Sequence, residues 1–516
     1  MQKRIALVTV IAALLGACSE SHQALMTMPQ TDGNSSSATA SESAAPTGET
    51  LAAGSATVFE TTASAFEKHS ANLTSAIGVR DFNIGNDFFK NPWVPNRSST
   101  SLRDGLGPHF NNNACQDCHI RDGRGHAPNV SATEDGSDFS SMLIRAARSS
   151  ISAAERDLML AGELANVGDS SVGGQLQQHA LAGVQIESAL GVSYQDVTMT
   201  FADGHSITLR EPSWHLTSLY KDSGYDFDSD TVFSARIAPP MIGLGLLMLI
   251  PAEHIIANED INDANSDGIS GKANRVWSLE DNAVTLGRFG WKAGQPSVLE
   301  QAAGAFLGDM GLTSRLHATE NCLPHQADCL QAPTGNGDSN GQYDYEVSDQ
   351  VLERVAFYSA HLGVPARRNA DAPVVKQGKQ LFKEAGCDSC HIEKWQTGES
   401  SALPELANQT IYPCTDMLLH DLGPELADFT IDNTPAGSDV LYEYQATATE
   451  WRTPPLWGIG LTHTVDPKAT FLHDGRARTI MEAVLWHGGE ASASRDKVLQ
   501  FNSEERNALN AFLMSL

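Results

Sequence analysis

CQDCH at 115–119 and CDSCH at 387–391 are the two stretches that decide how this chain must be built. In each, two thiols sit on one turn of chain and a histidine directly follows the second. Thiols so spaced add to the two vinyl groups of one haem, and the adjacent imidazole reaches its iron. The expectation is two covalently attached c-type haems. Cys115, Cys118 and His119 hold the first, and Cys387, Cys390 and His391 hold the second. A zinc reading needs further Cys or His pairs to complete each tetrahedron, and the remaining cysteines are poorly spaced for that.

The flanks of the second motif read as a small cytochrome domain. Asp371-Ala372-Pro373 opens a helical pattern in which Gly378 and Phe382 share a face, where a crossing helix can approach closely. The last segment, 503–516, has acidic residues in its first turn and an apolar stripe of Ala508, Leu509, Phe512, Leu513 and Leu516. Gly85 and Phe89 repeat the Gly-x-x-x-aromatic spacing ahead of the first motif.

Within 471–490, Thr479 and Glu482 form a capping box that starts a helix near Ile480. Ile480, Ala483, Val484 and His487 then share one face, so His487 is the candidate second ligand of haem two. The competing reading is a histidine that meets the helix dipole. Met481 and Met417 are the rival ligands, and Met481 lies off the stripe.

At the N-terminus, Lys3 and Arg4 precede an apolar run from 5 to 15 that closes on Leu15-Gly16-Ala17-Cys18. The run is too short to span a membrane and has the layout of a signal peptide. A cysteine after small residues is similar to a bacterial lipoprotein box with Cys18 as lipid acceptor; an ordinary signal peptide with an incidental cysteine is the alternative. The Ser/Ala/Thr-rich stretch at 19–57 is too poor in large apolar groups to fold and reads as a tether. Cys322 and Cys329, in NCLPHQADC, are able to pair in an oxidising compartment. Cys414 is left without a role.

The chain has 34 Lys and Arg against 63 Asp and Glu, a formal charge of −29, which disfavours nucleic acid and anionic lipid and favours basic partners. Hydrophobic residues are 41% of the chain, enough for real cores in a length that calls for two or three domains. Between the haem motifs, 190–214 alternates around a turn at Asp203-Gly204 and reads as a β-hairpin. RIAPPMIGLGLLMLIP (236–251) reads as a buried junction. The expected fold is mainly α: two cytochrome c-like haem domains, 58–370 and 371–516, with a long, partly β insertion between the motifs, preceded by a signal peptide (1–18) and the tether (19–57).

Several long motifs carry a family resemblance. GLGPHFNNNACQDCHIRDGRG (105–125), RIAPPMIGLGLL (236–247), DGISGKANRV (267–276), GRFGWKA (287–293), AFLGDMGLTS (305–314), TDMLLHDLGPELAD (415–428), WRTPPLWGIG (451–460), FLHDGR (471–476) and AVLWHGGE (483–490) resemble the di-haem oxidoreductase family. Its members are labelled thiol oxidoreductases or peroxidases, and it is distantly similar to bacterial di-haem cytochrome c peroxidases and to the enzyme that matures methylamine dehydrogenase. The resemblance runs from about Phe82 to the C-terminus. It implies a peroxidase-like enzyme in which haem one meets the substrate and haem two relays electrons. In the peroxidases a Met closes the stretch that ends here in His487, and a His/His pair lowers a haem's potential relative to His/Met. Their displaceable histidine after the first motif has no counterpart; His126 and then His179 are nearest, so the far side of haem one is undetermined. Trp93 stands loosely where they place an inter-haem Trp, and a packed Trp fits as well.

Other candidates are weaker. Asp263, Asn265 and Asp267, with Gly268, space oxygens like half an EF-hand, but Asn274 replaces the closing Glu; a calcium site and a solvated acidic turn are both consistent with it. His420 and His473 read as structural groups near haem two. Glu187 is one candidate acid/base among many carboxylates. No free C-x-x-C supports dithiol chemistry. The expected partners are a small cytochrome or cupredoxin as redox partner and hydrogen peroxide as substrate, in the periplasm, with the membrane, the outer one by the Ser after Cys18, met only through lipid. A non-enzymatic electron carrier and an oxidase of a protein partner remain open.

Overall fold

Two helix crossings organise the chain, and a glycine permits each. The computed structural model describes residues 48–96, 98–100, 102–128, 140–335 and 344–516; the signal peptide, Cys18 and most of the tether lie outside them. The helix Ala76–Lys90 starts where the Ser75 side chain accepts the Gly78 N–H, and it packs across Asp349–Ala360. A Cβ on Gly85 would collide with the Arg354 carbonyl. The helix Pro373–Glu384 crosses Ser503–Ser515 in the same way, and a Cβ on Gly378 would collide with the Ala508 carbonyl. Asn502 and Glu505 complete a capping box at the start of the last helix. Each haem motif thus follows the first helix of a crossed pair, and Phe82 and Phe89, like Phe382 and Phe512, fill the buried angle.

The rest departs from the mainly α expectation. Helix makes up 30% and strand 19%, the strand spread over many small sheets, so the class is mixed α and β. The largest sheet is three-stranded: Met142–Arg148 pairs antiparallel with Thr231–Ile237, which also takes Phe429–Thr430. All seven residues of Thr231–Ile237 are buried. The hairpin Ser188–Thr200 with Ser206–Ser218 turns at Gly204, whose φ is +84°. Its tip docks on the C-terminal part: Phe201 and Leu209 are buried against Val375, Leu485 and Leu509. Arg506 pairs with Asp203 at 2.9 Å.

Two expected boundaries change as well. From Gly48 the supposed tether is folded: Ala53 and Ala56 are fully buried, and Glu49 pairs with Arg367 and Lys379. Small alanines need little room, so a stretch that looks too poor to fold can fill the floor of a larger core. At residue 370 there is no seam. The described residues belong to one unit, and the pairing of Phe429 with Phe233 crosses that point. The segment 236–251 runs from the end of a strand through Pro239-Pro240 into the short helix Leu244–Met248, with Ile242, Leu246, Leu247 and Ile250 buried. Among the described residues no helix is long and apolar enough to cross a membrane. Cys322 and Cys329 form a disulfide.

Candidate functional site

Cys115, Cys118 and His119 line a cavity of about 550 Å³. The single helical turn Cys115–Cys118 delivers both thiols to one side of it. His119 donates from Nδ1 to the Pro239 carbonyl at 2.8 Å, which fixes the ring and leaves Nε2 for a metal. Burial lowers its pKa to about 4, so the imidazole is neutral, as an iron ligand must be.

The remaining wall of this cavity is mostly apolar but includes a group of polar side chains. It carries Glu187, Gln175, Gln177, Asp309 and His317. Glu187 accepts the Gln177 N–H at 2.9 Å and the Gln326 side-chain amide at 2.7 Å. Burial still pushes its carboxyl up to about 8, so it carries a proton at neutral pH. Asp309 is also raised by burial and accepts from Gln175 at 3.0 Å. Neither His126 nor His179 is on this wall: His126 lies 3.8 Å from Asp466, and His179 packs on Phe110. His317 is there instead, three residues past AFLGDMGLTS, a position that the motif alone does not single out.

Cys387, Cys390 and His391 line a second, tighter cavity of about 160 Å³. Ile480, Ala483, Val484 and His487 form one side of it; Met481 and Met417 do not reach its wall. His391 donates from Nδ1 to the Cys414 carbonyl at 3.0 Å, and His487 from Nδ1 to the Ala483 carbonyl at 2.7 Å. Both rings therefore keep Nε2 for a metal. Burial, with the His487 ring adding to it, holds His391 at about 4. His420 shares the wall but is spoken for, with Nε2 on Asp416 at 2.7 Å and Nδ1 on Glu490 at 2.9 Å. His473 also lines this cavity, stacked on Trp451 with ring centroids 3.6 Å apart.

The acidic turn is self-satisfied. Asp263 accepts the N–H groups of Asp267 and Gly268 at 2.9 and 3.1 Å, Asn265 accepts that of Asp267, and Asp267 accepts that of Ile269. Among the described residues the one convergence of three metal-ligating side chains is Cys390, Asp416 and His420, not this loop.

Four residues line both cavities: Arg124, Trp291, Arg452 and Pro454. Trp291 is held by its Nε1–H on the Ile237 carbonyl at 2.8 Å. Trp93 lines neither cavity; it is fully buried with its ring edge-on to Phe306. The tryptophan between the two sites is Trp291.

These residues fit haem. Four unpaired thiols stand two to a cavity, each pair is followed by an imidazole oriented by a backbone carbonyl, and the buried Arg124 guanidinium leaves Nε and Nη1 without a hydrogen-bond partner, as a site for an anionic group does. A family model described as "Di-haem oxidoreductase, putative peroxidase" matches residues 47–516. No curated protein and no solved structure matches the chain.

Proposed function

Since the chain belongs to the di-haem oxidoreductase family, we propose that it is an exported c-type cytochrome that reduces hydrogen peroxide at haem one with electrons relayed through haem two. The inequality of the two cavities carries this reading: one is roomy and has the raised Glu187 carboxyl on its wall, and the other is tight and lined by two histidines with Nε2 unused. Cys115 and Cys118 would hold haem one, with His119 supplying an imidazole nitrogen for its iron. Cys387 and Cys390 would hold haem two, with His391 and His487 supplying imidazole nitrogens for its iron. Bound haem supplies one-electron chemistry and, where a coordination position is open, a place for peroxide oxygen.

The chain's own residues supply the protons and the exclusion of substrate. Reduction of hydrogen peroxide to two waters takes two electrons, drawn from the redox partner, and two protons. Glu187 holds one proton in a buried wall and passes it to the oxygen that departs as water. The Gln177 N–H and the Gln326 amide keep the carboxyl oriented and stabilise the charge that it then bears. Trp291, on the wall common to both cavities, lies on the electron path. His487, on the wall of the second cavity, would take a place that peroxide would otherwise need there. The Asp263–Gly268 turn has no part in this reading, because its oxygens cap its own N–H groups.

Export and anchoring rest on Lys3, Arg4, the apolar run and Cys18, with a lipidated Cys18 holding the protein to the outer membrane from the periplasmic side. A disulfide at Cys322–Cys329 suits that oxidising compartment. The charge of −29 suits a basic small cytochrome or cupredoxin as electron donor. Spectra of the resting and half-reduced protein test the function: haem two stays low-spin throughout, haem one is or becomes high-spin, and peroxide is turned over. Two haems that remain low-spin in every state, with peroxide untouched, would make the protein an electron carrier. Cys18→Ala moves it from the membrane fraction to the soluble one; unchanged fractionation removes the anchor from the account.

A further inference from the structure

The wall between the cavities holds two cations that form no ion pair among the described residues, although the Asp416 charge acts on Arg452 from a distance. Arg124 is 6% exposed, and its Nε and Nη1 have no hydrogen-bond partner. Its guanidinium lies 5.7 Å from the ring centres of both Trp291 and Phe471. Arg452 is 7% exposed and donates only to backbone, to the Gly290 carbonyl at 3.0 Å and the Thr453 carbonyl at 3.2 Å. Burial lowers both to about 10, so both stay charged at neutral pH.

Other buried cations differ among themselves: Arg288 also has only a backbone carbonyl, that of Leu247, as its acceptor, whereas three others have carboxylates. Lys292 has Asp428 at 3.0 Å, Arg236 has Glu443 at 2.7 Å, and Arg476 has Asp474 at 2.7 Å. No carboxylate forms an ion pair with Arg124 or Arg452 among the described residues. A guanidinium taken out of water without a paired anion carries a desolvation cost, and the two unpartnered nitrogens of Arg124 mark where an anion would offset it. Such an anion must be reachable from both cavities, because these two side chains line both. A haem brings two carboxylates on the edge remote from its vinyl groups, and the vinyl edges are committed to the cysteine pairs.

We propose that Arg124 and Arg452 form one clamp for the propionates of both haems, which turns the two propionate edges toward the Trp291 wall and ties the two reduction potentials together. Guanidinium suits this task, since its planar fork meets carboxylates two at a time. A charge shared by the two haems acts on both: it favours the ferrous state of each, and reduction of one weakens its hold on the other's charge. The proposal rests on the two-haem reading above.

Potentiometric titration of the full holo-chain tests it, because thioether attachment keeps both haems in place when the clamp is removed. Arg124→Gln lowers the midpoint potentials of both haems together, and Arg452→Gln does the same. Arg124→Lys keeps the charge but not the fork and lowers both by less. A wild-type chain lacking two covalent haems would refute the functional reading itself. With both haems attached, a shift confined to one haem, or no shift in any variant, overturns the clamp. Should Arg124→Gln not accumulate as a folded protein, the Lys variant and Arg452→Gln decide on the same criterion.

Discussion

The two C-x-x-C-H cavities start from the same sequence device and end in different surroundings. Each has a C-x-x-C-H turn, a histidine held by a backbone carbonyl, and a preceding helix crossed at a glycine. They differ in what faces that histidine. At the first, the wall is built from Gln175, Gln177, Glu187 and the helix Val298–Met310, leaving about 550 Å³. At the second, a short helix brings His487 and three apolar neighbours inward, leaving about 160 Å³. The two C-x-x-C-H turns are alike, and the walls opposite them are not.

The comparison breaks most severely if the cysteines are not attachment sites. Cys115→Ala and Cys387→Ala should each remove one haem, counted by the pyridine haemochrome after acid–acetone extraction; retention of both would sink the account of the two cavities. Next come the facing walls. His487→Ala should turn haem two from low-spin to high-spin while its covalent attachment persists, and His487→Met should raise its potential, because thioether ligation favours ferrous iron. His317→Ala should alter only the haem one spectrum. If His487→Ala leaves the haem two spectrum intact, the asymmetry drawn here is wrong.

Glu187→Gln should lower peroxide turnover by roughly 10²–10⁴-fold, the usual worth of a positioned proton donor, without changing the haem content. The pH dependence follows from its raised pKa. The protonated form favours the fold fully below the ordinary 4.5, and that contribution is lost as pH rises through about 8. Turnover in the wild type should fall over the same upper limb, and Glu187→Gln should lose that limb; an identical pH profile in the variant assigns the proton elsewhere. The smallest effect compares the two crossings. Gly85→Ala and Gly378→Ala should each destabilise the protein by about 1–3 kcal/mol through overpacking. Denaturant titration checks this, and a neutral result at either position shows that its helices part without strain.

Much of the second cavity is legible in the sequence because its signals are local. The motif, the capping box at Thr479 and the stripe ending in His487 lie in short periodic segments, as do the last helix and the hairpin turn at Gly204. The parts that stay hidden are non-local or lack a period. Thr231–Ile237 is buried on both faces, so nothing alternates along it, and strands such as Phe429–Thr430 are too short to show any repeat. Those strands turn an apparently helical protein into a mixed one. Arg124, Trp291 and Arg452 meet only in the folded chain; in the sequence each sits in a different motif with no mark of the others. Trp93 stands nearer the first haem motif and is the more tempting tryptophan, yet it is core. His317 escapes because neighbours in space, not in sequence, put it on the cavity wall.

The pairing of Phe429 with Phe233 also has a meaning in time. A chain emerging from its N-terminus can complete the hairpin and join Met142–Arg148 to Thr231–Ile237 early, but one edge of that sheet stays bare until residue 429 arrives. Contacts so distant along the chain form slowly, and an open strand edge invites pairing with other chains meanwhile. The two residues Phe429 and Thr430 thus arrive late to a strand made long before them. A chain cut at residue 370 would leave Val232 and Phe233 without the Thr430 and Phe429 strand partners that they have in the whole chain.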